Sequence, residues 1–290
     1  MEHKARNITG LTFLIMGIIV FVIGVIAMNN TDMSKYSVTR GERESSVQEY
    51  KADGVTDIKL DLGVSSYKII ADESAQKITV DSKNIRKSAA SSSVEGSTFE
   101  YTANENTLID TGFFKFHFFS LDPSRIADIK SFKDLGKLFN EDEDSEVIIT
   151  LPAKKYNLVK ISCGVGNTEV RGIESEELKL SAGVGNLEIY ELRAENTKLS
   201  AGVGNLEGSG LSFDDIKLSA GVGNIELSGF FGNTDVSCGM GNVKLHISGA
   251  RDDYDIDTDE ADLHGEGSSN GGKYDLKVSS GLGDCDIYFE

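Results

Sequence analysis

The stretch Leu178–Ile189, Leu-Lys-Leu-Ser-Ala-Gly-Val-Gly-Asn-Leu-Glu-Ile, decides the fold. Leu178, Leu180, Ala182 and Val184 fall on one face of an extended chain, and Lys179, Ser181 and Gly183 on the other. Gly185-Asn186 supplies residues that tolerate positive φ, which marks a corner. Leu187 and Ile189 then resume the inward alternation. The period is two rather than 3.6, so the stretch is strand, corner, strand.

The block Ser-[Ala/Cys]-Gly-[Val/Met]-Gly-Asn recurs at Ser162–Asn167, Ser181–Asn186, Ser200–Asn205, Ser219–Asn224 and Ser237–Asn242, at offsets of 19, 19, 19 and 18 residues. A variant, Ser279–Asp284, follows 42 residues later, and Ile256–Leu263 between them keeps a degraded form. Leu60–Tyr67 is an earlier echo. A fixed period near 20 residues is the signature of a solenoid, whose units bury their apolar faces only by stacking. The expectation is an all-β, single-stranded β-helix of ~19-residue coils, each with two or three short strands. Stacked at about 4.8 Å, seven coils make a rod about 34 Å long. Leu180, Leu199 and Leu218 then lie one above the next, and Asn167, Asn186, Asn205, Asn224 and Asn242 form an amide ladder that gives way to Asp262 and Asp284.

Composition agrees and excludes. Among 290 residues there are 31 Gly and only 2 Pro, which suits tightly cornered β-structure. The net charge of −18 argues against nucleic acid as a partner, because phosphate binding needs a basic footprint. Three Cys make no disulfide scaffold. Cys163 and Cys238 take the inward small position of Ala182, Ala201 and Ala220, four coils apart and too far to bridge. With Cys285 they read as buried apolar thiols.

Residues 8–28 carry no charge and are long enough to cross a bilayer as a helix. They read as an uncleaved anchor; a cleavable signal peptide ending near Val25-Ile26-Ala27 is the competitor. Lys4 and Arg6 before the span place residues 1–28 as cytoplasmic tail and transmembrane anchor, with the body exported. Residues 29–56 read as a polar stalk and residues 57–290 as the solenoid domain. Within it, 104–146 departs from the repeat. Phe113, Phe114, Phe116, Phe118 and Phe119 crowd into seven residues, and Arg125–Phe139 has helical spacing. This partly helical insertion is expected to cap an open end of the stack, with membrane or partner contact through its aromatics as the alternative.

Stacking also aligns charges. Lys160, Lys179, Lys198 and Lys217 form one outward row, and Glu169, Glu188, Glu207 and Glu226 another. The lysines and the five phenylalanines are the candidate interaction surface. An anionic wall polymer would neutralise the lysine row, although solvated, splayed side chains need no ligand. Outward Gly164, Gly183, Gly202, Gly221 and Gly239 either ease the corner or leave a docking strip.

Catalytic and cofactor motifs are missing. Gly183-Val-Gly185 lacks the third glycine of a dinucleotide fingerprint, recurs too often and precedes no helix. The calcium β-roll places Asp after its glycine turns, whereas Asn stands here. The acidic runs 141–144 and 252–262 read as solvated charge. His3, His117, His246 and His264 show no metal spacing. The chain reads as a non-enzyme without cofactor or metal.

The anchor, Ile58–Val64, Val147–Pro152, the run of Gly-x-Gly-Asn coils and the closing Tyr274–Gly283 together resemble the bacterial DUF4097 "putative adhesin" family. The likeness covers residues 55–103 and 145–290. It implies a β-solenoid on the outer, membrane-proximal surface of the cell envelope, with links to envelope stress or antibiotic response, and transfers no catalytic residue. The expected function is therefore adhesin-like or stress-response interaction, with the bilayer and an envelope protein or wall polymer as partners. A polymerising, bactofilin-like scaffold is the alternative.

Overall fold

The computed structural model describes residues 43–86, 90–103, 109–110, 115–116, 145–258 and 261–290. In chain order the strands are β1 Arg43–Lys51, β2 Asp57–Val64, β3 Ser66–Asp72, β4 Lys77–Arg86, β5 Ala90–Glu95, β6 Thr98–Ala103, β7 Ile109–Asp110 and β8 Lys115–Phe116. They continue as β9 Glu146–Pro152, β10 Lys155–Val165, β11 Thr168–Arg171, β12 Glu174–Val184, β13 Leu187–Tyr190, β14 Arg193–Val203 and β15 Leu206–Val222. The last are β16 Ile225–Met240, β17 Val243–Ile247, β18 Tyr254–Asp257, β19 Asp262–His264, β20 Tyr274–Leu282 and β21 Cys285–Phe289. All but β7 and β8 join one 19-stranded sheet, wound as a solenoid.

Each central coil pairs in parallel with the next, in register. Leu180 lies beside Ile161 and Leu199, and Leu199 beside Leu218. The repeat thus places equivalent side chains at the same position in each layer, one above the next. Inward Leu178, Leu180, Leu187, Ile189 and Leu192 are buried, as are their equivalents in neighbouring coils except Gly208, which stands opposite Ile189. Two successive outward residues, Glu176 and Glu177, interrupt the alternation in β12, and the pairing skips Glu176. That break bends the long strand, so each coil has three runs rather than two.

The glycine corners explain how backbone pairing survives the turn. Gly166, Gly185, Gly204, Gly223, Gly241 and Gly283 all have φ between +131° and +147°. The amide of Gly185 donates to the Val203 carbonyl at 2.9 Å, and that of Leu187 to the Asn205 carbonyl at 2.9 Å. A Cβ on Gly185 would run into the carbonyl oxygen of Gly166 in the adjacent coil. Asn186 does not share the positive φ expected of it. The asparagines work through their side chains instead: the Asn205 side-chain carbonyl accepts from the Asn224 amide at 3.4 Å, and the Asn242 one from the Asp284 amide at 3.1 Å. Asp284 therefore continues the ladder, whereas Asp262 pairs with Asp286 and lies outside it.

Outward Gly183 has ordinary φ, but its Cβ would meet the Gly164 carbonyl. Gly164 faces Gly63 likewise at 2.8 Å. Close approach of neighbouring coils thus demands the first glycine as well. Val184 departs from the expected burial. Its column turns partly outward at the corner, and Val222 and Leu282 expose 37% and 57%.

Spatial order differs from chain order at both ends. From one end the layers run β6/β9, β2/β3, β10/β11, β12/β13, β14/β15, β15/β16, β16/β17, β20/β21 and β18/β19. These nine layers exceed the seven expected coils. The degraded repeat Ile256–Leu263 is outermost, and the C-terminal strands slot in beneath it. At the other end β4 and β5 run antiparallel to β9 and β6, and β1 pairs with β4.

Part of the expected 29–56 stalk is therefore strand, since Arg43–Lys51 belongs to the sheet. Its residues are mostly exposed and only Tyr50 packs well, with its ring 5.3 Å from that of Phe99. The expected helix 125–139 and the span 8–28 lie outside the described residues. Among the described residues no helix is long and apolar enough to cross a membrane.

At the second corner Gly172, Glu191 and Gly210 occupy equivalent places at φ of 72°, 57° and 67°. Glutamate in this left-handed region carries strain of about 1 kcal/mol. Glu191→Gly should therefore leave stability within about 1 kcal/mol of the parent, strain relief offsetting lost chain stiffness. Gly185→Ala, which forces overlap with backbone, should cost at least about 3 kcal/mol. Urea unfolding of both variants checks the contrast; equal effects would contradict this account of the corners.

Candidate functional site

Parallel, in-register pairing converts each repeated residue into a column. On the face formed by the second half of the long strands, Lys59, Lys160, Lys179, Lys198 and Lys217 stand in consecutive layers. Glu100 bounds the column at one end and Asp235 at the other. The expected row of four lysines is thus assembled and extended by Lys59. Beside it run Ser162, Ser181, Ser200, Ser219 and Ser237, and next to them the glycines Gly164, Gly183, Gly202, Gly221 and Gly239. On the other flank stand Glu177, Asn196, Asp215 and Asn233. An open groove of about 410 Å³ runs between this flank and the lysines.

The phenylalanines are a different case. Phe113, Phe114, Phe118 and Phe119 lie outside the described residues. Of Phe116 the backbone is described, pairing with Ile109. The segment leaves β6 and re-enters at β9, where a glycine corner would otherwise stand, because β6 and β9 pair with β2 and β3. Ser65, in the corner of the adjoining β2/β3 layer, is buried and its hydroxyl donates to the Ser145 carbonyl at 3.0 Å.

The glutamate row also forms: Glu169, Glu188, Glu207 and Glu226 stack, with Lys68 at one end and Lys244 at the other. Lys68 reaches Glu169 at 3.2 Å, and Arg171 reaches it at 3.4 Å. One cluster escaped sequence reading. His246, Tyr288 and His264 stack their rings at 4.7 and 4.3 Å, with the ring planes nearly parallel. Asp286 lies 3.0 Å from His264, and Glu290 lies 3.5 Å from His246. Their wide and irregular sequence spacing hides the cluster, since the C-terminal strand inserts out of order. Among the described residues no group of three or more potential ligands is arranged around a metal position.

The thiols sit at the positions expected from the repeat. Cys163 pairs with Ala182 and Cys238 with Ala220 in the same column. Cys238 and Cys285 are buried and Cys163 partly covered. Burial pushes Cys163 and Cys285 up to about 11, and Cys238 in the same direction. At pH 8 only about one in a thousand of the first two is thiolate, the form that reacts. The folded protein should therefore resist a maleimide at pH 8 and react fully in urea. Rapid native labelling of any of the three would contradict their placement.

Among solved structures, a "putative cell adhesion protein" from Clostridium sporogenes is similar at 13% identity, over 86% of this chain and 100% of that one, with a TM-score of 0.34. A "putative adhesin" from Bacteroides fragilis is similar at 12% identity, over 86% and 98%, with a TM-score of 0.35. No curated protein matches. The family model described as Toastrack DUF4097 matches residues 55–289, which contain nearly all the strands described above. The chain belongs to the Toastrack DUF4097 family.

Proposed function

We propose that the chain is a membrane-anchored, outward-facing β-solenoid that acts as a non-catalytic, adhesin-like or stress-response interaction protein of the cell envelope. The observation that carries this reading is the face on which four consecutive coils repeat Lys, Ser and Gly in register. Identical groups at ~4.8 Å intervals offer many small contacts along a line, which suits an extended partner. Catalysis instead needs unlike groups converging on one reacting atom. The uncharged segment 8–28 supports the bilayer as one partner, and Lys4 and Arg6 ahead of it support export of the body. An envelope protein or wall polymer is the other.

The polymerising scaffold is less well supported. The outermost strands β18 and β19 are four and three residues long and carry Asp255, Asp257 and Asp262. Short, acidic edges blunt strand pairing between molecules.

Location is the part to test. Ser181 is exposed on the repeated face, so Ser181→Cys in the full chain provides a reactive thiol over a background of covered ones. A membrane-impermeant maleimide should label this variant as fully in intact cells as after lysis. Labelling that requires lysis would overturn the outward orientation.

A further inference from the structure

Lys160, Lys198 and Lys217 are exposed, and among the described residues they make no ion pair. Lys179 between them is held by Glu177 of its own coil at 2.5 Å. In the neighbouring column Lys160 stands beside Leu158 and Lys198 beside Asn196, and Asp215 beside Lys217 accepts from the Asn233 side-chain amide at 2.8 Å instead. Like charges about 5 Å apart repel, so the bare column disfavours the folded state slightly. The glutamate column, by contrast, meets Lys68 and Arg171 at its end. Uncompensated cations on a chain of net charge −18 are a local exception.

We infer that this column binds a linear polyol phosphodiester, laid along the coil axis over the serine and glycine columns. The carboxylates Glu177 and Asp215 stand on the opposite flank, which repels an anion there. On the serine side nothing acidic intervenes between Lys160 and Lys217. A phosphodiester has two non-bridging oxygens, so one group spans lysines in adjacent layers about 4.8 Å apart. Ser162, Ser181, Ser200 and Ser219 offer hydroxyls to those of the polyol. The glycines beyond carry no side chain and let the polymer lie close to the backbone. Glu100, Asp61 and Asp235 bound the patch, which confines the polymer to the central coils. Nucleic acid shares the phosphodiester but also depends on stacking surfaces for its bases, and these columns contain no aromatic residue.

This assignment deepens the interaction reading above but does not depend on cellular location. The test uses the full chain in detergent and poly(glycerol phosphate) as the probe, with dextran and single-stranded DNA as controls, by fluorescence titration. Binding to the probe should weaken steeply between 50 and 500 mM salt, roughly as expected for a few released counterions. Combining Lys160→Gln, Lys198→Gln and Lys217→Gln should reduce affinity about tenfold or more at low salt. The melting temperature should stay equal or rise, because repulsion is relieved. Lys68→Gln, in the glutamate column, should leave binding unchanged. Equal binding by the triple variant, by dextran or by single-stranded DNA would overturn the assignment, as would no binding by the parent. Absence of binding combined with labelling of Ser181→Cys in intact cells would remove the ligand and leave the location standing. Binding without such labelling would do the reverse.

Discussion

Everything in the molecule depends on how closely one winding approaches the next at the Gly-x-Gly-Asn corner. A strand that turns a corner normally leaves its backbone amides unpaired, and buried unpaired amides are costly. Here the corner is itself a ladder, because the Gly185 amide reaches Val203 and the Leu187 amide reaches Asn205. That pairing requires a conformation and a proximity that only glycine supplies. Hydrophobic stacking then follows from register: once the corners match, Leu180, Leu199 and Leu218 cannot help but meet. The same register produces the lysine, serine and glutamate columns outside. Core and surface are two sides of one constraint.

The ends obey a different logic. A stack of parallel coils has an open edge at each end, which invites association with other chains. At one end antiparallel β1, β4 and β5 cover the outer layer. At the other, the C-terminal strands insert beneath the short acidic β18 and β19. The final segment thus pairs on both sides, with β16/β17 and with β18/β19, which fastens the terminus into the body. Tyr254 adds a tie across these layers, its buried hydroxyl donating to the Phe231 carbonyl at 2.5 Å. Burial pushes that phenol up to about 12.

The central coils were legible because their constraint is periodic. Each block repeats at 18 or 19 residues, so alternation within a coil and register between coils could be read together. What escaped was aperiodic. The β6/β9 layer is split by the 104–145 segment and has no glycine block to announce it. β1 buries almost nothing, so its ladder partner rather than its pattern makes it a strand. Layer order at the ends carries no sequence period at all, which also concealed the His246–Tyr288–His264 stack. Val184 was misplaced because alternation fails where the backbone turns at glycine. For the candidate surface, the lysines were legible as a row, but their unequal pairing depends on neighbours such as Leu158 and Glu177.

Distances between layers test the central claim most directly. In a background with Cys163, Cys238 and Cys285 replaced by alanine, spin labels on Asp61→Cys and on Ser219→Cys, Ser237→Cys or Ser279→Cys report stacking by electron–electron resonance. These serines lie four, five and six layers from Asp61. Successive coils at about 4.8 Å predict separations near ~19, ~24 and ~29 Å, before label length is added. Regular increments would support the stack, including the single step between Ser237 and Ser279 despite 41 intervening residues. Separations that scatter, or a Ser279 distance two steps beyond Ser237, would contradict it.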